Sequence, residues 1–395
     1  MDSGSNTADL VILGAGAAGL FAAIAAASNG LHVAILDHAR KPGRKIAISG
    51  GGRCNVTNTA IAAADYVCGN PHFVKSALAR WTPQDMRQWL QDRGAPLDEE
   101  PGGKLFSRHG AAAVVQALRD EVRRLDVRLM LQSPVRGVTR EGDGFAVATE
   151  TYSLRAPRLL VATGGLAWPQ LGATGLGHDL ARQFGLKVTP RRPGLTPLFA
   201  PPPWLPLCRE LAGLALPVRI AGPHSSIQGD MLFTHQGLSG PAILDASLFW
   251  KEGQTLAIDL LPDADLASLV RSAPRQELRN ALARALPARL AAALCAKHGW
   301  SGQAGQCSNR MLASLEESIH RAPFAPAAAA GHDKAEVTLG GVDVARIDSK
   351  TMQCKDVPGL FFAGEVLDVT GRLGGFNLHW AWASGRAAGM ACGAD

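Results

Sequence analysis

The chain has 395 residues, of which 47% are apolar and 19% charged, with a formal charge of +6. That composition excludes a disordered chain and gives room for two or three domains. The mild basic excess permits a phosphate-bearing partner without requiring one. Seven cysteines with no CxxC pair exclude a disulfide scaffold and argue against a structural zinc or iron–sulfur site.

The first element is an apolar run, Leu10 to Leu13, which reaches Gly14, Gly16 and Gly19 and is followed by an alanine-rich segment. A second apolar run ends at Asp37, 18 residues beyond Gly19. This order reads as strand, phosphate-binding turn, helix, strand and acidic ribose ligand. Gly14 permits the tight turn, Gly16 clears the way for a pyrophosphate, and Gly19 lets the helix pack closely on the sheet. Ala17 and Ala18 supply amides at the helix start that can face phosphate oxygens. An acid at Asp37 favours a ribose without a 2′-phosphate. Glycine interruptions and the strand–turn–helix order argue against reading residues 11–27 as a membrane span, and nothing at the start reads as a signal peptide. A reduced, cytoplasmic setting with no membrane contact is the expectation.

Next comes GRKIAISGGGRCNVTN at 43–58, with Lys45, Ser49, Gly50, Gly51, Gly52, Arg53, Cys54 and Asn55 in one run. Three consecutive glycines give up backbone entropy, which suits close approach to a planar or phosphorylated ligand. Residues 71–93 read as a helix divided at Pro83, and 111–124 as another helix. Segments 127–150 and 152–161 suggest short strands of a small sheet. A further apolar strand ends in Ala162, Thr163, Gly164 and Gly165, and an irregular loop leads into a helix at 178–185.

At about residue 190 a proline-rich stretch marks a boundary. We expect a β-rich insert over 190–262, a helical insert over 263–322 with breaks near Pro274, Pro287 and Gly299, and a return segment at 323–334. The flanking parts, 1–189 and 335–395, would form one cofactor domain. The arginines of the helical insert read most simply as a solvated face, and alternatively as a contact surface for a polyanion. Near the far end, a strand meets Gly364 and Glu365. Gly374, Gly375, Phe376, Asn377 and Leu378 then form a close-approach loop and the start of a helix, whose free amides suit an anion or the electron-rich end of a flavin ring.

These motifs, with ATGG at 162–165, GDMLFTHQGLSGPAIL at 229–244, AEVTLGGV at 335–342, TMQCK at 351–355 and GLFFAGEVLDVTGRLGGFNLHWAWASG at 359–385, resemble the bacterial flavoprotein family of NAD(FAD)-utilizing dehydrogenases, also called BaiN-like flavoproteins. The resemblance spans nearly the whole chain. It implies an α/β, Rossmann-like FAD fold of the two-dinucleotide-binding-domain type with inserted β-rich and helical subdomains. It places Gly14, Gly16 and Gly19 at the pyrophosphate, Asp37 at the adenosine ribose, and Gly364 and Glu365 by the pyrophosphate and ribityl chain. The Gly50–Asn55 loop and the Gly374–Leu378 segment would flank the isoalloxazine. His379 stands where the family commonly has Gln, and TMQCK where it has TMESK.

An FAD-dependent oxidoreductase acting on an unsaturated C=C bond is the leading expectation. Alternatives implied by the resemblance are reduction of uridine to dihydrouridine in ribosomal RNA and oxidation of an amine or aminoketone. A non-enzymatic flavin-bound redox sensor is the rival outside catalysis. NAD(P)H would serve as a transient electron donor, although no second complete glycine fingerprint is visible. The substrate would be a small unsaturated molecule or ribosomal RNA. C=C reduction also needs a proton, and Cys54 and His379, both in glycine-rich segments, are the candidate donors. Packing of the Cys54 thiol and local hydrogen bonding by His379 are the competing readings. No metal-ligand spacing is present.

Overall fold

A computed structural model of the protein describes residues 6–221 and 226–393. The chain divides into two compact units, one made of residues 1–192 and 337–395 and the other of residues 193–336.

The first unit is built on a five-stranded parallel sheet. Its strands are β1 (Leu10–Leu13), β2 (Val33–Leu36), β3 (Arg128–Met130), β4 (Arg158–Val161) and β5 (Leu360–Phe362), in the order β5-β4-β1-β2-β3. β1, β2 and β5 are buried along their whole length. That accounts for their continuous apolar runs, since a parallel sheet covered on both faces has no solvent side. The expectation of one small sheet over 127–161 needs correcting. Residues 128–130 and 158–161 join the parallel sheet, and only Gly137–Glu141, Gly144–Ala148 and Ser153–Ala156 form a separate antiparallel one.

Helix α1 (Ala17–Ala27) follows the glycine turn and α2 (Phe376–Cys392) ends the described part of the chain. The two pack directly against each other. α1 is apolar and buried almost all round because the sheet takes one side and α2 the other. Small residues set the spacing. A methyl group on Gly385 would overlap the carbonyl oxygen of Ala18, and one on Gly389 that of Ala22.

The second unit holds a seven-stranded sheet that includes Ala215–Ile220, Ile227–Thr234 and Leu256–Asp259. Around it lie the helices Pro241–Phe249, Leu266–Arg271, Leu278–Leu282, Ala288–His298 and Asn309–His320. One continuous apolar core serves both strands and helices: Met231, Phe233 and Ile258 of the sheet share it with Leu282, Leu290 and Leu315 of the helices.

Candidate functional site

All five strands of the first sheet run the same way, so their carboxyl ends share one edge. The chain steps from β1 to β2 and β3 on one side and returns to β4 on the other. The crevice between β1 and β4 is therefore the topological switch point, where open α/β sheets bind ligands. Gly14 follows β1, Asp37 follows β2, Ala162–Gly165 follow β4, and Gly364 and Glu365 follow β5 one residue on. The strands bring these sequence-predicted residues to one edge.

The glycines there have different physical reasons. Gly14 has φ +107°, and a methyl on it would lie 2.5 Å from the Ala162 carbonyl oxygen. A methyl on Gly19 would overlap the Gly14 carbonyl oxygen. Gly16 has neither constraint: its φ is −83°, and a methyl there would meet nothing within 4 Å. Gly16 is also the N-cap of α1 with no side-chain cap, so the first amides of the helix face open space. Backbone conformation and packing leave the absence of a side chain at Gly16 unexplained, whereas a pyrophosphate lying over the helix start explains it.

Asp37 sits beside this turn. Its Oδ2 accepts from Ala15 N at 2.7 Å and its Oδ1 from Ala39 N at 2.8 Å. A carboxylate can accept about four hydrogen bonds, so two acceptor positions remain for ribose hydroxyls.

Glu365 joins three segments. Its Oε2 accepts from Lys45 Nζ at 2.6 Å and its Oε1 from Thr338 N at 2.9 Å, and a methyl on Gly165 would come within 2.6 Å of Oε1. Thr338 Oγ1 accepts from Leu166 N and Ala167 N, fixing the loop after β4. The backbone of Gly364, at φ +77°, is clamped by α2: Gly364 N donates to Ser384 Oγ at 2.9 Å, and Trp380 Nε1 donates to Gly364 O at 3.2 Å. Sequence reasoning missed Thr338, Trp380 and Ser384 as supports. All three lie inside motifs of the sequence, Thr338 in AEVTLGGV and Trp380 and Ser384 in the run 359–385, but nothing local shows what they bond.

The Gly50–Asn55 loop and the Gly374–Leu378 segment meet. Gly50, Gly51, Gly52 and Cys54 all have positive φ, so four of five consecutive residues are left-handed. Ser49 Oγ donates to Ile46 O, and Arg53 lies over the Phe106 ring and pairs with Glu100. Asn58 Nδ2 donates to Gly374 O at 3.1 Å, and a methyl on Gly375 would overlap the Thr57 carbonyl. Asn377 ties down the turn before α2, accepting from Gly371 N and donating to Gly371 O. Phe376 is buried against Tyr66, whose hydroxyl donates to Phe376 O, and Leu378 is half-buried.

Two buried polar atoms at these segments have no partner within the protein: Asn55 Oδ1 and Thr163 Oγ1. Unpartnered buried polar atoms are rare enough to call for a ligand or water. Together with the open face at Gly16 and the left-handed loop, they fit an extended FAD. Asn55 and Gly374–Leu378 would stand at the ring end, and Gly14–Gly19 and Asp37 at the nucleotide end.

Cys54 and His379 do not present themselves to this edge as reactive groups. Cys54 is fully buried, and burial pushes its thiol up to about 11. His379 is also fully buried, and desolvation lowers its imidazole to about 4, so it is neutral at physiological pH. Its Nε2 lies 3.0 Å from the Trp81 carbonyl, which only accepts, so Nε2 carries the proton. Nδ1 then accepts from Thr57 Oγ1 at 2.8 Å. Both ring nitrogens are occupied in holding α2 to the strand Asn55–Asn58 and to Trp81.

Comparison with known proteins agrees with the fold and narrows the chemistry. A family model described as HI0933-like protein Rossmann domain matches residues 8–391. The chain is 42% identical to the ribosomal RNA dihydrouridine synthase of Escherichia coli K12, over 95% of this chain and 96% of that protein. It is 40% identical to that of Haemophilus influenzae over 98% of each. It is 30% identical to the 3-dehydro-bile acid delta(4,6)-reductase of Clostridium scindens, over 96% of this chain and 98% of that protein. The structure of E. coli quinol fumarate reductase FrdA superposes with a TM-score of 0.50 at 17% identity, over 98% of this chain and 70% of that one, a likeness of fold alone. The chain belongs to the HI0933-like Rossmann family, a wider group than the BaiN-like one its motifs resemble. It is an FAD-dependent oxidoreductase, related to enzymes that reduce C=C bonds.

Proposed function

We propose that this member of the HI0933-like family reduces the C5=C6 bond of uridine in ribosomal RNA, giving dihydrouridine. The observation that carries this reading is the 42% and 40% identity to two ribosomal RNA dihydrouridine synthases across almost the whole of each chain. It takes precedence over a small unsaturated substrate, for which the matching relative is 30% identical. The enzyme would then act in the cytoplasm, where ribosomal RNA is made and assembled.

FAD held here would supply hydride chemistry, with a hydride for one carbon of the double bond and a proton needed at the other. The chain's own residues bind and orient. Gly14, Gly16, Ala17, Ala18 and Gly19 take the pyrophosphate, Asp37 the adenosine ribose, and Ala162–Gly165 with Gly364 the middle of the cofactor. Lys45 and Glu365 hold each other beside it. The Gly50–Asn55 loop and the Gly374–Leu378 segment embrace the ring. Cys54 keeps its proton on Sγ and His379 keeps its own on Nε2, committed to Trp81 O. Both are positioning residues in this reading, and the proton reaches the substrate from water or a substrate-borne group. NAD(P)H is the proposed electron donor.

The test is mapping of modified bases in ribosomal RNA from a deletion strain and its parent. Loss of dihydrouridine at one or more positions, restored by the plasmid-borne gene, is expected. Unchanged dihydrouridine at every position would overturn the proposal. With purified protein, NADH and NADPH are each mixed with the oxidised flavoprotein, and bleaching of the flavin band by neither would remove NAD(P)H as donor.

A further inference from the structure

A small three-stranded sheet in the first unit carries both segments assigned to the ring end. Its strands are Asn55–Asn58, Lys104–Ser107 and Leu97–Glu100, with Lys104–Ser107 in the middle. Leu105 and Ser107 are buried, while Lys104 and Phe106 alternate onto the opposite face and are half-buried. Both ring-end segments rest on that face. A methyl on Gly50 would lie 2.9 Å from Phe106 Cε1, and one on Gly374 would lie 3.6 Å from Lys104 Cε and 3.7 Å from its Cγ. Asn58, opposite Lys104 in register, donates to Gly374 O.

On this sheet and the two segments it carries, Arg53 and Lys104 are the only lysine or arginine residues. Arg53 is paired with Glu100 and lies over the Phe106 ring. The neighbouring carboxylates are taken as well, Asp98 by Arg108 at 2.6 Å and Glu99 by Arg87 at 3.7 Å. Just outside, Arg372 pairs with Asp65 and Lys45 with Glu365. Among the described residues Lys104 Nζ has no hydrogen bond and no ion pair. Yet Glu100 stands directly across from it in register, where opposite charges ordinarily meet. Glu100 turns to Arg53 instead, and the lysine stem runs past Gly374 with its ammonium one bond beyond Cε. Cys54 and His379, the other ionisable groups at this end, are neutral at physiological pH. Lys104 is therefore the one cation of these segments whose charge nothing in the protein cancels.

We propose that Lys104 tunes the flavin ring, its ammonium stabilising the ring in the reduced state. The proposal rests on the Gly50–Asn55 loop and the Gly374–Leu378 segment embracing the ring, and adds which side chain sets its charge balance. A hydride from the nicotinamide donor brings two electrons and one proton to a neutral oxidised ring, which is left with one negative charge. A charged group beside the ring shifts the balance between the two states. An ammonium favours the negative one, and most strongly when no carboxylate of the protein competes for it. A lysine serving only solubility would have no reason to forgo Glu100 and lie along a glycine of the ring-end segment.

The test compares wild-type holoenzyme with Lys104→Met, Lys104→Gln and Lys104→Arg. Each is measured for FAD content, for the midpoint potential of the bound flavin, and for affinity toward sulfite, which adds to the oxidised ring and leaves a negative charge on it. The Met and Gln variants should keep FAD and favour the reduced over the oxidised state at least tenfold less. That is a midpoint lower by about 30 mV or more for a two-electron couple. Sulfite should bind them at least tenfold more weakly. The Arg variant should restore most of both values, which a role in packing the stem alone would not produce. Wild-type potential and sulfite affinity in the Met and Gln variants would overturn the proposal, and so would weaker binding of a ribosomal RNA fragment with both flavin values unchanged. Loss of FAD from both variants, with Arg retaining it, would also overturn it, since the residue would then hold the cofactor rather than tune it. The FAD content of the wild type separates this from failure of the site reading. Wild-type protein that takes up no FAD sinks both, whereas stoichiometric FAD with no effect of Lys104 sinks the proposal and leaves the site standing.

Discussion

At the scale of single residues, glycines that look alike in the sequence do different work. Gly19→Ala should destabilise the apoprotein, because its methyl overlaps the Gly14 carbonyl, at a cost of about 1–3 kcal/mol. Gly16→Ala should leave apoprotein stability within about 1 kcal/mol, since the position has room and an ordinary φ. It should weaken FAD binding tenfold or more by occupying the space over the helix start. Urea melts of the apoprotein and flavin titrations check both, and equal FAD affinity in Gly16→Ala would refute the site. The same scale holds a pH dependence. His178 and His379 are fully buried and both lowered to about 4, chiefly by desolvation. An unfolded histidine titrates near 6.5, so between about 6.5 and about 4 the unfolded chain takes up protons that the folded chain refuses. Stability therefore falls as pH falls through that window, by roughly 3 kcal/mol per histidine. In urea melts across this range, His379→Phe should be less stable than wild type at neutral pH, having lost its bonds to Thr57 and Trp81. It should also show a flatter decline toward pH 4, and a decline parallel to wild type would contradict the assignment. The glycine positions were legible in the sequence because a tight turn and a helix start are local demands. The duty of His379 was not: a glycine-rich context announces close approach of backbone, but not that Thr57 and Trp81, far away in sequence, take both ring nitrogens.

At the scale of elements, α2 is the support for the site. It meets α1 through Gly385 and Gly389, clamps Gly364 through Ser384 and Trp380, and reaches the Asn55–Asn58 strand through Trp382 Nε1, which donates to Val56 O. Gly389→Ala should push the two helices apart, costing about 1–3 kcal/mol and lowering FAD affinity through displacement of the Gly364 clamp. Met390→Ala, one residue on and exposed, should stay within about 0.5 kcal/mol of wild type. Calorimetry of both variants, with and without FAD, separates crowding at the crossing from a general intolerance of α2. The sequence made the helices of the second unit readable, because prolines and glycines punctuate them. Helix 71–93, broken at Pro83, appears as Lys75–Arg80 and Pro83–Gln91 with Thr82 as a capping residue. The partner of α2 was not readable. A spacing of four between Gly385 and Gly389 signals close helix packing, but nothing local says that the other helix is α1, some 360 positions earlier.

At the scale of the whole molecule, the first unit is closed by two distant stretches of chain. β5 pairs with β4, and residues Val369–Gly371 pair with Tyr66–Cys68. The glycine fingerprints at both ends made this split legible, since each is incomplete as a dinucleotide site alone. The internal division of the insert was less so. Strand-rich and helix-rich textures suggest separate subdomains, while burial joins Phe233 and Leu290 in one core, a relation that composition along the chain does not display. The split has a consequence for how the protein is made. During synthesis the phosphate-binding turn leaves the ribosome early, but Gly364, its clamp and α2 follow only after about 350 more residues. At about 5–20 residues per second, roughly 20–75 s pass between the two. Through that interval the apolar flank of α1 that α2 will cover has no partner, and the cradle cannot grip its nucleotide. The cradle is therefore complete for flavin only once Gly364, its clamp and α2 have all been made.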